Sequence, residues 1–115
     1  KFESEHKLNI GHRNIGLDLE PISPIDSVVL KNKNLDDCWQ LKRTDVGFET
    51  PNYKLILSSS QADSFLQVYT PPKEHMIAIE PTTGVSNSFN NNIGLKFLKS
   101  KETFDITWTL KIHTN

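Results

Sequence analysis

Thr103-Phe104-Asp105-Ile106-Thr107-Trp108-Thr109-Leu110-Lys111-Ile112 alternates apolar and polar residues without a break. In an extended chain Phe104, Ile106, Trp108, Leu110 and Ile112 fall on one side, because successive side chains of a strand point to opposite faces. Thr103, Asp105, Thr107, Thr109 and Lys111 fall on the other. A strict period of two over that length predicts a strand with one buried and one solvated face. Its Thr, Ile, Phe and Trp content also favours the pleated backbone. Working back along the chain, Tyr53 to Ser58 and Ser64 to Thr70 read as two more strands. The polar stretch Ser59-Ser60-Gln61-Ala62-Asp63 between them predicts a hairpin or a connection across a sheet edge. Asp26 to Leu30 and Cys38 to Arg43 are shorter candidates. Helical spacing is nowhere sustained, and Pro21, Pro24, Pro51, Pro71, Pro72 and Pro81 interrupt the chain often. The expected class is all-β, an antiparallel β-sandwich. Residues 1–25 have weak periodicity, with Gly11, Gly16, Pro21 and Pro24, and read as a loosely structured lead-in.

At 115 residues the chain is expected to form a single β domain over 1–115. A net charge of −1 gives no field to draw in nucleic acid or an anionic membrane. Lys96, Lys99 and Lys101 form the densest basic group and read as a solvated strand rim. No apolar run approaches the roughly 18 residues of a membrane helix, and no signal-peptide core is present. Cys38 is the only cysteine, so an intrachain disulfide is excluded and a reducing, cytoplasmic location is expected. The chain opens on Lys1 and its only methionine is Met76, so a section upstream of Lys1 is also expected.

The run Ile77-Ala78-Ile79-Glu80-Pro81-Thr82-Thr83-Gly84 places a carboxylate after an apolar stretch and before a proline. Met76, Ile77, Ala78 and Ile79 are expected to be buried or half-buried in a sheet. Pro81 fixes φ and is expected to end the ladder, which delivers Glu80 at a rigid strand end. A carboxylate held that way serves either as an ion-pair partner at the sheet rim or as a general base in a shielded pocket. Asn87 to Asn92 is a polar loop with one aromatic, Phe89. It reads either as a loop whose Phe plugs the core or as one that closes over a ligand.

Several of these segments together resemble the C-terminal part of the aldose 1-epimerase (galactose mutarotase) family. They are Leu35-Asp36-Asp37-Cys38-Trp39-Gln40-Leu41, Val68-Tyr69-Thr70-Pro71-Pro72, Ile77 to Gly84, Ser88-Phe89-Asn90, Gly94-Leu95 and Phe104 to Trp108. Their order and spacing cover roughly two thirds of the chain. The resemblance implies the C-terminal part of a mutarotase-like supersandwich, since proteins of that family run about two to three times this length. Open edges of such a part would be covered by the missing section or by a second copy. It also implies a hexose as ligand, no cofactor, and interconversion of α and β anomers by ring opening. That reaction needs a base at the anomeric hydroxyl and an acid at the ring oxygen.

By the same resemblance Glu80 stands at the position of the general base, and Asp36 at that of the aspartate holding sugar hydroxyls. A carboxylate suits the second task because it accepts hydrogen bonds from adjacent hydroxyls. Asp37 points to the opposite side of a strand from Asp36, and Cys38 and Trp39 read as core. The family's acid is a histidine in a His-Pro-Tyr type motif, and no His-Pro pair occurs here. His6, His12, His75 and His113 read as surface residues. A base and a sugar anchor are therefore present without the acid. A non-catalytic carbohydrate-binding or interaction module would use the same pocket without needing that acid. No Gly-rich phosphate loop, nucleophile elbow or zinc spacing occurs, and Asp36 with Asp37 alone does not make a calcium site. No metal is expected.

Overall fold

The structure, a computed structural model, describes the backbone of residues 2–3, 6–10, 17–21, 27–41, 43–62 and 64–114, with side chains for 29–41, 43–62 and 64–114. It is an all-β, antiparallel arrangement of two sheets. In chain order the strands are β1 (Phe2–Glu3), β2 (His6–Ile10), β3 (Leu17–Pro21), β4 (Ser27–Val28), β5 (Asp36–Gln40), β6 (Asp45–Glu49), β7 (Tyr53–Ser59), β8 (Phe65–Tyr69), β9 (Ala78–Thr82) and β10 (Trp108–Thr114), with one short helix, α1 (Ser88–Asn91), between β9 and β10. The first sheet has the order β10-β7-β6-β1-β4 and the second β3-β2-β5-β8-β9. Ser59 to Ala62 leads from the first sheet to the second, so this polar stretch is a crossing connection rather than a hairpin turn.

The two sheets face each other across a core of Trp39, Leu41, Leu66 and Val68 from the second sheet and its flank and Val46 from the first. Leu57, Ile77 and Ile79 pack against it. The pairing explains the selection. Trp39 stands opposite Leu66, Asp37 opposite Val68, and Val68 opposite Ile79, so these residues share the inward face. In the first sheet Val46 pairs with Leu57 and Phe48 with Leu55. Cys38 and Trp39 are both buried, Cys38 against the outer side of its sheet.

Several sequence expectations are corrected. Residues 1–25 contribute three short strands, β1, β2 and β3, in place of a loose lead-in. His6-Lys7-Leu8-Asn9-Ile10 pairs along its length with Leu17–Pro21, and its first three residues also pair with β5. The C-terminal strand begins only at Trp108, and its apolar row is exposed: Leu110 keeps 57% of its surface and Ile112 63%. Finally, Pro81 does not end β9, which runs on to Thr82, and Met76 is exposed.

The proline is tolerated for a reason readable in the hydrogen bonds. Thr70 N–H donates to Leu35 O at 2.8 Å and Leu41 N–H to Ser64 O at 2.9 Å. Bonded pairs alternate along an antiparallel ladder, so Leu66 and Val68 spend their backbone groups on β5, while Phe65, Gln67 and Tyr69 bond to β9. Pro81, opposite Leu66, therefore turns its nitrogen away from β8. No ladder donor is missing, as required of a proline within a sheet.

The segment 83–95 folds back over the outer face of the second sheet. Val85 and Ile93 pack on Cys38 and Phe65, and Val85 N–H donates to Ile93 O at 3.4 Å. Asn87 and Asn92, at φ 62° and 61°, flank α1 in the left-handed region that asparagine tolerates. Asn91 ties the turn from both sides, donating to Ser86 O at 3.0 Å and accepting from Ile93 N–H at 2.9 Å. Phe89 does not plug the core; it is 87% exposed. Gly94 sits at φ +72°, where a Cβ would lie 2.6 Å from Gly84 Cα, Phe65 Cε2 and Thr83 O. Gly94→Ala combines left-handed strain with a clash against backbone, and is expected to destabilise the fold by about 2–4 kcal/mol in urea unfolding.

Candidate functional site

The outer face of the second sheet carries every second residue of β5, β8 and β9. Its rows are Asp36 with Tyr69 and Ala78, then Cys38 with Gln67 and Glu80, then Gln40 with Phe65 and Thr82. The segment 83–95 covers the Phe65 and Cys38 end of that face. The other end stays open: Asp36, Glu80 and Tyr69 are exposed, and Gln67 is half-buried between them. The covered and open halves meet at Gln67.

Asp36 and Glu80 thus come to one face of one sheet, from strands separated by β8. Gln67 Nε2 donates to Asp36 Oδ1 at 2.8 Å, and its backbone position is directly opposite Glu80. The start of β5 is fixed as well. Leu35 N–H donates to Thr70 Oγ1 at 2.7 Å, and Thr70 N–H donates to Leu35 O at 2.8 Å. Thr70 therefore clamps the residue before Asp36, which limits the swing of that carboxylate. Asp37, half-buried, belongs by register to the inward face with Val68.

Chemically the open half offers two carboxylates, an amide and a phenol ring on one surface. Carboxylates and amides accept and donate in the pattern that vicinal hydroxyls require. An exposed aromatic such as Tyr69 provides an amphipathic platform. Gln67 and Tyr69 were not singled out from the sequence. The available signal was their spacing of two from one another in a predicted strand, which puts them on one face, but not which face. Glu80 lies within β9, not at its end, and its side chain is solvated rather than shielded by this chain.

The histidines are placed elsewhere. His75, at φ 61°, rims the gap between the two sheets, and His113 is on β10 in the other sheet. His6 pairs with Gln40, at the far end of β5 from Asp36, and His12 lies outside the described residues. Lys96 lies over the Phe104 ring at 5.6 Å, and Lys99 and Lys101 are exposed on a turn rather than a strand rim. Among the described residues no three His, Cys, Asp or Glu side chains converge as metal ligands. Nor, among them, is any helix long and apolar enough to cross a membrane. Comparison with family models, with curated proteins and with solved structures returns no match to this chain.

Cys38 lies under the covered half of this face. Burial pushes its thiol up to about 11, against a smaller opposing effect of the Trp39 backbone hydrogen bond. The thiolate is the reactive form, so alkylation of the native protein at pH 8 is expected to run roughly a hundredfold slower than for a free thiol. The raised value also fixes a sign: the burial contribution to stability is intact below the unfolded thiol's pKa near 9 and fades as pH rises toward 11. Iodoacetamide labelling followed by mass spectrometry, with and without urea, checks the first; urea midpoints between pH 8 and 11 check the second.

Proposed function

We propose that this chain carries the base side of an aldose 1-epimerase (mutarotase) site, acting on a hexose without a cofactor. The supporting observation is the shared face of Glu80 and Asp36, bracketing Gln67. In this reading Asp36, held by Gln67, accepts hydrogen bonds from sugar hydroxyls. Glu80 takes the proton of the anomeric hydroxyl. The electron pair released forms the C1 carbonyl as the bond from C1 to the ring oxygen breaks. The ring oxygen then takes a proton from an acid, and rotation about the C1–C2 bond lets the hydroxyl re-add to either face of the carbonyl.

For the acid, neither histidine whose side chain is described stands beside Glu80: His75 lies at the gap between the sheets and His113 on β10. Supply of that group by a further section of the protein accords with the family resemblance. The competing reading is a carbohydrate-binding module on the same face. It is favoured by the exposure of Asp36 and Tyr69, which can hold a sugar without Glu80.

The test is an NMR titration of the chain with glucose and galactose, alongside polarimetry on freshly dissolved α anomers. Sugar is expected to shift the Gln67 side-chain amide and Tyr69, and Asp36→Ala to abolish those shifts. Mutarotation is expected to stay near the uncatalysed rate, because a base without its acid forgoes roughly 10²- to 10⁴-fold. Shifts unaffected by Asp36→Ala would remove Asp36 from the site. Fast mutarotation that Glu80→Gln leaves intact would remove Glu80 as base. If a partner section restores activity, Glu80→Gln should abolish it, whereas a pure binding module gains none.

A further inference from the structure

The first sheet ends on β10, whose inward row is uncovered: Trp108 keeps 39% of its surface, Leu110 57% and Ile112 63%. The backbone of the same strand is half used. Ser60 N–H donates to Thr107 O at 2.9 Å, and bonded pairs alternate from there. Thr109, Lys111 and His113 therefore bond to Ser58, Ile56 and Lys54 of β7. The N–H and C=O groups of Trp108, Leu110 and Ile112 point to the open edge. Beside them a groove of about 480 Å³ runs between the sheets, lined by Leu55, Leu57, Met76, Ile77, Ile79 and Leu110 among others.

Charge completes the description. On the outward side of β10 stand Lys111 and His113, and their cross-strand neighbours in β7 are Ile56 and Lys54. No carboxylate is on β10 or opposite Lys111 and His113 in β7; Lys54, opposite His113, has Glu49 of β6 on its other side. Lys111, with Ile56 as its cross-strand neighbour, carries a positive charge that an opposite charge on the free side would complement. The β9 edge of the second sheet is built differently. On β9 the outward-pointing nitrogens belong to Ile79 and Pro81, and the proline has no hydrogen to give. One edge is closed to strand addition and the other is open.

We propose that β10 is a docking edge for an extended segment of another polypeptide in which apolar residues alternate with carboxylates. Its backbone continues the ladder at Trp108, Leu110 and Ile112. Its apolar side chains enter the groove beside Leu55 and Ile79, and its carboxylates meet Lys111 and His113 on the other side. A second copy of this chain is a poorer occupant. Pairing β10 with itself through Leu110 sets Lys111 opposite Thr109 and His113 opposite Thr107, and leaves Lys111 without a counter-charge.

The test uses the full chain and three dye-labelled synthetic heptapeptides, read by fluorescence anisotropy and amide hydrogen exchange. One alternates valine with glutamate, one alternates valine with lysine, and one has the composition of the first with its valines made consecutive. The glutamate peptide is expected to bind and to protect the Leu110 and Ile112 amides. The lysine and reordered peptides are expected to bind roughly tenfold or more weakly, since cross-strand ion pairs become like-charge contacts or the alternation is lost. Lys111→Glu should reverse the preference between the first two peptides. Leu110→Pro removes an outward donor but none bonded to β7, and should abolish binding with the strand intact by circular dichroism. Equal binding of all three peptides, no binding of the glutamate peptide, or protection of these amides by self-association alone would overturn the proposal. The charge reversal at Lys111 keeps the test decisive if Leu110→Pro does not fold.

Discussion

The register of β5 on β8 is the constraint from which the rest of this structure follows. With Trp39 opposite Leu66 and Asp37 opposite Val68, the inward face of the second sheet receives Trp39, Leu66 and Val68, the last two fully buried. Burying side chains of this size contributes roughly 1.5–3 kcal/mol each. A slip of one residue would send β5 or β8 outward and bring Gln67, Tyr69 and Asp36 into the core. Against a net stability on the order of 5–15 kcal/mol such a slip is prohibitive. The polar row on the outer face is therefore positioned by the apolar row behind it. Asp36, Gln67 and Glu80 share a surface because Trp39, Leu66 and Pro81 share the opposite one.

That outer face is then divided. Ordinarily the outer face of a two-layer fold is wet throughout, yet Cys38 and Phe65 are nearly inaccessible. The segment 83–95 makes the difference by closing on itself at Gly84 and Gly94, with backbones too close for a side chain between them. Asn87 and Asn92 supply left-handed backbone, and Asn91 side-chain bonds, that a regular helix would not need. The effect is to raise a wall of backbone and apolar side chains beside an otherwise flat polar surface. Gln67 sits at the foot of that wall, with one half of the face dry and the other half open.

Composition made β7 and β8 legible to within a residue, because both are short runs of β-branched, aromatic and aliphatic residues flanked by turn-forming ones. It could not show what lies against a face. The run from Thr103 to Ile112 alternates throughout, but β7 offers backbone partners only as far as Ser59, opposite Trp108. Before that point one further backbone bond, Ser60 N–H to Thr107 O at 2.9 Å, gives way to side-chain ties: Thr107 N–H donates to Ser60 Oγ at 2.9 Å, and Gln61 Nε2 to Asp105 O at 3.3 Å. The apolar row is present, and its cover is not a property of the row. Within residues 1–25 the converse holds, since strands of five residues carry too few periods to register in the sequence. In the candidate site, Asp36 and Glu80 stood out by residue type and neighbours. Gln67 and Tyr69 did not, because their relation to both carboxylates runs through strand pairing across tens of residues.

Pro81 joins these themes. Read locally it is a stop signal; in the sheet it is an edge residue whose nitrogen turns away from β8 and which stands opposite Leu66 on the inward side. It removes a donor that a stray strand would need. An added strand beyond β9 would place its own side chains next to Glu80 and crowd the open half of the outer face. Closing that edge by a proline, rather than by a covering helix or loop, protects it without building anything over the carboxylate. The neighbouring β10 has only Lys111 and His113 for protection, and these repel some partners while inviting others. The β9 and β10 edges thus differ in kind. One is silenced next to the surface where chemistry is proposed, and the other retains the backbone groups, apolar depth and charge that a strand can use.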